Sequence, residues 1–149
     1  MPAPMTATPD ADPFARVRDS FDRQAFMRTL DARLTQVGAG RCEAVMPIQP
    51  AFGQQHGFLH GAVVTALSDS AAGHAALSLM PPGASVLAIE YKQNFFAPAT
   101  GDRLIARAEV VRAGKTVSVV TAHAFTVTNG VEKPVALLVA TMMTMRDAA

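Results

Sequence analysis
The sequence predicts a single α+β domain: a curved antiparallel sheet of about six strands wrapped around one long buried helix, with a short helix in front. Three observations carry this reading. The stretch Gly61 to Met80 has no proline and bears apolar residues on every side, and a helix of that kind belongs inside a protein rather than on its surface. Around it, apolar residues recur at every second position, the period of half-buried strands. A length of 149 residues suits one domain, because two would each fall near the lower limit for an independent core.

Residues 1–12 read as a disordered tail. Pro2, Pro4, Pro9 and Pro13 crowd the start of the chain, which lacks both Lys or Arg and the continuous apolar run of a signal peptide. The domain is expected over 13–149. Phe14, Val17, Phe21 and Ala25 recur at helical steps and predict a short amphipathic helix over Phe14–Met27, started by Asp12 and Pro13. Leu30, Ala32 and Leu34 alternate with Asp31, Arg33 and Thr35, and Gly38 to Gly40 turn the chain into a second run, Cys42–Ile48. These two runs fit a hairpin. A loop rich in Gly and Gln spans Gln49–His60, and the long helix follows until Pro81-Pro82 ends it. Four more strands are centred on Leu87 to Tyr91, Leu104 to Val110, Val117–Val127 and Val135–Met145. Their connections are Pro98–Asp102, Ala113–Lys115 and Asn129-Gly130, the last a strong tight-hairpin signal. A sheet curled around one helix is the hotdog arrangement. It leaves an edge and an outer face for a second copy to cover.

Composition points the same way. Charged residues are 17% of the chain, against about 25% in a typical domain, while apolar types reach 50%, so a buried subunit interface is expected. A net charge of +1, with Lys and Arg scattered singly, argues against nucleic acid or an anionic membrane as partner. The longest apolar run, Val135–Ala140, is far short of the roughly 20 residues that cross a bilayer. Cys42 stands alone, which excludes an internal disulfide and suggests a reducing, cytoplasmic setting.

The chemically informative stretch is Gln54-Gln55-His56-Gly57-Phe58-Leu59-His60-Gly61-Ala62, followed by Asp69 within the helix. Asp69 has small or apolar neighbours, where an ionised carboxylate is costly unless it is hydrogen-bonded or used. It is either satisfied by Ser68, Ser70 or backbone donors, or it is a general base or nucleophile. Gly61 stands at the helix start, where free N–H groups and the positive end of the dipole suit a developing oxyanion. The plainer reading of Gly61 is a tight turn into the helix. The eight residues from Gly61 to Asp69 span roughly 12 Å of helix, whereas both groups must meet one carbonyl at about 3 Å. If both act, the site lies between two chains.

This segment resembles the signature of hotdog-fold acyl-CoA thioesterases, specifically the phenylacetate-pathway (PaaI-like) branch. The similarity runs on through Tyr91–Asp102 and the Arg112-Ala113-Gly114-Lys115 turn. The resemblance implies that Asp69 activates water or attacks the thioester carbonyl, and that Gly61 of the partner subunit polarises the carbonyl oxygen. It implies a role for Gln54, at a position where relatives often carry Asn, in orienting water or the acyl carbonyl. Ala62 stands where the family usually has a second glycine, and Ala88 where many relatives carry a hydroxyl near the attacking water.

Other residues have weaker claims. His56, His60, Asp69 and His74 could be imagined as metal ligands, but Asp69 and His74 are five apart on a helix, about 140° in direction, and no ligand spacing is present; no metal or cofactor is expected. His60 is expected to bond backbone or water and fix the loop. Arg112 and Lys115 could meet coenzyme A phosphates, and Gln55, His56, Phe52, Phe58 and Leu59 could line the substrate channel. The leading function is hydrolysis of an aryl- or fatty-acyl-CoA thioester by a homodimer or dimer of dimers. Two alternatives are a non-catalytic acyl-CoA binding protein and an enoyl-CoA hydratase or dehydratase pairing His60 with Asp69.

Overall fold
The computed structural model describes residues 11–146; the expected tail falls outside this range except for Ala11 and Asp12. The Asp12 carboxylate accepts from the Phe14 N–H and from Arg18 Nε, each at 2.9 Å, where the chain enters helix α1 (Ala15–Asp22). The single helix expected over Phe14–Met27 is in fact two, because α2 (Ala25–Thr29) starts after a break at Arg23 and Gln24. Val17 and Phe21 are buried from α1, and Met27 and Leu30 are buried from the next segment. Leu30 lies nine residues beyond Phe21, about 180° around a straight helix, so the break lets both face one core.

Strands β1 (Arg33–Gly38) and β2 (Arg41–Pro47) form the expected hairpin. β1 begins later than its alternation suggests, because Leu30 is buried and Asp31 turns the chain at φ 53°, a left-handed conformation that Asp tolerates. After a 3₁₀ turn at Pro50–Phe52 comes the central helix α3 (Gly61–Leu77). It is followed by β3 (Ser85–Phe95), β4 (Arg103–Arg112), β5 (Val117–Thr128) and β6 (Val131–Met145). The six strands form one antiparallel sheet in the order β1-β2-β4-β5-β6-β3. This is the hotdog fold. β5 and β6 meet at Asn129 (φ 50°) and Gly130 (φ 78°), the positive pair of a tight primed turn. β6 starts four residues before expected and takes in Pro134, which sits beside a bulge opposite Phe125, where a missing N–H is tolerated.

The core lies between α3 and the inner face of the sheet. Val64, Leu67, Ala71 and Ala75 are buried with Met46, Leu104, Val120, Leu138 and Met142. The alanines of α3 keep it thin enough for the sheet to curl close around it. α3 stops at Leu77 rather than at Met80, because its last carbonyls are taken from outside. Arg16 donates to the carbonyls of Leu77 (3.0 Å), Met80 (2.9 Å) and Pro81 (2.7 Å), and Ser78 Oγ donates to Ala75 O at 2.7 Å. These contacts satisfy groups that every helix end leaves open.

α1 is fixed to α3 by a second link. The buried His74 ring donates from Nδ1 to Ser70 O (2.7 Å), faces Ser20 Oγ from Nε2 (3.2 Å), and meets the Phe21 ring edge-on at 5.2 Å. Burial pushes its pKa below the usual 6.5, so the neutral form belongs to this packing. One expectation needs correction: α3 is not buried all round. Ala62 is exposed and Thr65, Ala66 and Asp69 are only partly covered, and at steps of three and four these residues form one open stripe.

Candidate functional site
The loop that leads into α3 is tied down by its own side chains. Gln54 Oε1 accepts from the N–H groups of His56 and Phe58, the latter at 3.3 Å. Two backbone donors on one atom identify it as the oxygen of the amide, so the face of Gln54 left for a ligand is its NH₂. His60 N donates to Phe52 O, and Leu59 N to Ala99 O, each at 2.9 Å. His60 caps α3, its Nδ1 accepting from the Ala62 N–H at 3.0 Å. The expectation that His60 bonds backbone therefore holds.

That cap takes the Ala62 N–H and leaves the Gly61 N–H without a partner among the described residues. Gly61 faces an apolar cleft of about 350 Å³ lined by Gln54, Phe58, Leu59, Val64, Phe95, Phe96 and Pro98. The structure gives a steric reason for the glycine. A Cβ there would stand 3.1 Å from Cζ of Phe95.

Asp69 opens into a different cleft, of about 490 Å³, whose walls are Gln24, Phe26 and Met27 from the α1–α2 segment, Ala62, Thr65 and Ala66 from α3, and Tyr91 from β3. Its Oδ1 is buried and has no hydrogen-bond partner among the described residues. Neither Ser68 nor Ser70 bonds this buried oxygen. Burial raises its pKa above the ordinary 3.8, as desolvation of the charged form requires. A partly buried carboxylate without donors, facing a cleft, is poised to take a proton.

The structure brings Gln54 and Phe58 to the Gly61 cleft, with Leu59 buried beside them, and brings Ala62 to the Asp69 cleft. Phe52 packs against the core instead. Gln55 and His56 are exposed in the loop, their side chains 3.4 Å apart, and line neither cleft. Ala88 is exposed on β3 opposite Met142 and also lines neither. Arg112 is exposed, and Lys115 borders a small hollow with Ala76, Met80 and Pro81, at the far end of α3 from Gly61. His60 and Asp69 are not together within one chain, so the hydratase pairing, like that of Gly61 with Asp69, would need two chains. Among the described residues no group of His, Cys, Asp or Glu could hold a metal, and His74 is committed to Ser70 and Ser20. Burial pushes the Cys42 thiol up to about 12, which makes it inert as a nucleophile. Gln24, Thr65, Tyr91 and Phe95 are site residues that sequence reasoning missed.

A larger depression, about 670 Å³, is on the outer face of the sheet. Its carboxylates are already bonded, Glu43 to Arg107 at 2.7 Å and Glu109 to Arg41 at 2.8 Å. The smaller Asp69 cleft, with its unpaired acid, is the better reactive site.

Residues 56–133, just over half of the chain, match the thioesterase superfamily. The chain belongs to this superfamily. A thioesterase family protein of Silicibacter pomeroyi has a crystal structure with 47% sequence identity and a TM-score of 0.88, covering 91% of this chain and 99% of that one. A candidate esterase of Halobacterium salinarum is 33% identical over 116 residues, 74% of this chain and 76% of that protein. The Escherichia coli PaaI protein of the phenylacetic acid degradation operon shares the fold at 22% identity and a TM-score of 0.79, covering 89% of this chain and 93% of that one. The match to the thioesterase superfamily contains both Gly61 and Asp69, while Gln54 of the first cleft and Gln24, Phe26 and Met27 of the second lie before it.

Proposed function
We propose that this thioesterase hydrolyses acyl-CoA thioesters at a site completed by two copies of the chain. The observation that carries the reading is the separation of two unsatisfied groups: the Gly61 N–H in one cleft and the Asp69 carboxylate in another. One carbonyl cannot reach both within a chain, because α3 holds them roughly 12 Å apart along its axis.

β3 supplies the means of joining two chains. It is an edge strand of 11 residues, and Leu87, Ile89, Tyr91 and Phe95 along it are each about half exposed. A long apolar edge invites pairing unless something covers it. A second copy of β3 is the natural cover, and it would set the Gly61 cleft of one protomer against the Asp69 cleft of the other.

In the resulting site the thioester carbonyl oxygen accepts from the partner's Gly61 N–H, with the Gln54 NH₂ alongside. Asp69 takes a proton from water as the water oxygen bonds to the carbonyl carbon. The C–S bond then breaks, the coenzyme A sulfur leaves with the proton returned by Asp69, and a carboxylic acid remains. Direct attack by Asp69 to form an anhydride, which water then cleaves, uses the same carboxylate.

The test is thiol release, followed with a disulfide dye, from a panel of aromatic and straight-chain acyl-CoAs by wild type and Asp69→Asn. Cleavage by wild type and none by the variant supports the reading. Saturable binding of acyl-CoA by a protein that cleaves none of them supports the non-catalytic alternative, for which Ala62 and Ala88 are the motivating departures.

A further inference from the structure
Gln24 has no place in the reaction as set out above, yet it faces the same cleft as Asp69. It stands at the break between α1 and α2, with an extended backbone at φ −71° and ψ 108°. Its N–H donates to Phe21 O and its carbonyl accepts from Arg28, both at 3.1 Å. Arg28 in turn donates to Asp22 O at 2.8 Å. The break is therefore fixed on both sides, and α1 is anchored to α3 through Arg16 and His74. What this costs in helix continuity it returns in position, since the break lets Leu30, about 180° from Phe21 on a straight helix, be buried with it while Gln24 lines the cleft.

The Oε1 of Gln24, like Oδ1 of Asp69, is buried and has no hydrogen-bond partner among the described residues. A buried acceptor without a donor is uncommon in folded proteins and asks for an explanation. Here two such acceptors border one cleft that has room for water. A water molecule carries two O–H donors, the number needed to satisfy both where a single water reaches the two oxygens. In that arrangement one O–H points to Asp69, the other to Gln24, and the lone pairs are left to face the thioester carbon.

We propose that Gln24 orients the hydrolytic water for Asp69, a role that rests on the thioesterase reading above and deepens it. As the water oxygen bonds to the carbonyl carbon, the proton facing Asp69 passes to the carboxylate, while the O–H held by Gln24 stays in place. The C–S bond breaks and the proton on Asp69 goes to the departing sulfur. Gln24 exchanges no proton and contributes by direction alone, which predicts an effect on turnover rather than on substrate affinity.

The experiment compares wild type, Gln24→Leu, Gln24→Glu and Asp69→Asn as full-length proteins, with phenylacetyl-CoA and hexanoyl-CoA as probes. Gln24→Leu keeps the bulk and removes the acceptor. Its kcat is expected to fall about 10- to 100-fold on both probes, with KM nearly unchanged and a thermal midpoint close to that of wild type, since Gln24 Oε1 bonds no other described residue of the chain. Gln24→Glu places a second carboxylate in the cleft, so the acid limb of its kcat profile moves to higher pH. Unchanged kcat in Gln24→Leu overturns the proposal. A rise in KM on one probe with kcat intact assigns Gln24 to the acyl group instead, and a lowered thermal midpoint assigns it to the fold. Asp69→Asn separates the two levels: if it is inactive while Gln24→Leu is fully active, only the role of Gln24 fails. Full activity in Asp69→Asn removes the thioesterase mechanism on which that role depends.

Discussion

The ring of Phe95 lies so close over Gly61 that any Cβ at residue 61 would come within 3.1 Å of it. The glycine thus answers to a neighbour on β3 as much as to the turn into α3. His60 precedes it at φ −60° and ψ 133°, which is also the backbone that a following proline demands.

This arrangement allows the N–H of residue 61 to be tested apart from its size. Gly61→Ala introduces the Cβ and keeps the N–H, whereas Gly61→Pro introduces a Cβ and deletes the N–H at the one helix position where proline is welcome. Both must displace Phe95, and its half-exposed ring can move. If the N–H is an oxyanion donor, kcat of the proline variant falls about 10²- to 10³-fold below that of the alanine variant. Equal thiol-release rates in the two variants would show that the N–H does no chemistry.

Asp69 should carry a cost in stability that its removal reveals. Its pKa is raised by burial, so the folded state resists ionisation. Stability is then whole below the ordinary value of 3.8 and is lost as pH rises through the raised pKa. Asp69→Asn is expected to abolish turnover and yet to raise the thermal midpoint near neutrality, by about 2–4 °C for each kcal/mol relieved. The gain disappears in strong acid, where wild type also carries a neutral side chain. Scanning calorimetry across pH at fixed protein concentration checks this, and a variant less stable than wild type at neutral pH contradicts it.

His74 has the opposite sign. Its pKa is lowered by burial, so the neutral ring is favoured in the fold and stability is full above the ordinary value of 6.5. Stability falls as pH drops from there toward the lowered value, because the unfolded chain binds the proton first. The loosened part should be α1, held at this point by Ser20 and Phe21. His74→Gln retains hydrogen-bonding atoms without the titration, and is expected to flatten the loss of midpoint below pH 6.5. Amide exchange in α1 that accelerates in acid for wild type alone would place the opening there.

How much of this was legible beforehand depends on the range of the contacts involved. The six strands, the central helix and the Asn129-Gly130 hairpin are written in local periodicity and turn chemistry, and they stand in the structure. Pro134 hid the first residues of β6, because a bulge that excuses a proline is invisible in one strand alone. The break at Gln24 was missed because Leu30, half a turn from Phe21 on a straight helix, becomes a conflict only once both are known to face one core. In the site, Gly61 and Asp69 were readable from their chemistry against apolar surroundings. Tyr91, Phe95 and Gln24 were not, since their roles come from elements far apart in sequence meeting on α3.

If the site needs two chains, as proposed, an exposed residue with no chemistry of its own becomes a test. Ile89 is the extra residue of a bulge in β3, lying between Ala88 opposite Met142 and Glu90 opposite Thr141, and is 55% exposed in the single chain. Ile89→Lys puts a charge on the open edge, the device by which natural sheets keep such edges from pairing. Within one protomer the change touches solvent, so the fold should persist with its circular dichroism intact. Between protomers it buries an ammonium in an apolar seam, which costs several kcal/mol unless the charge is paired. Sedimentation should therefore show a monomer, and thiol release should fall with it, because each Asp69 loses the Gly61 N–H of its partner. Activity that survives in a demonstrated monomer would mean that one chain assembles the site alone, against the roughly 12 Å that α3 sets between the two groups.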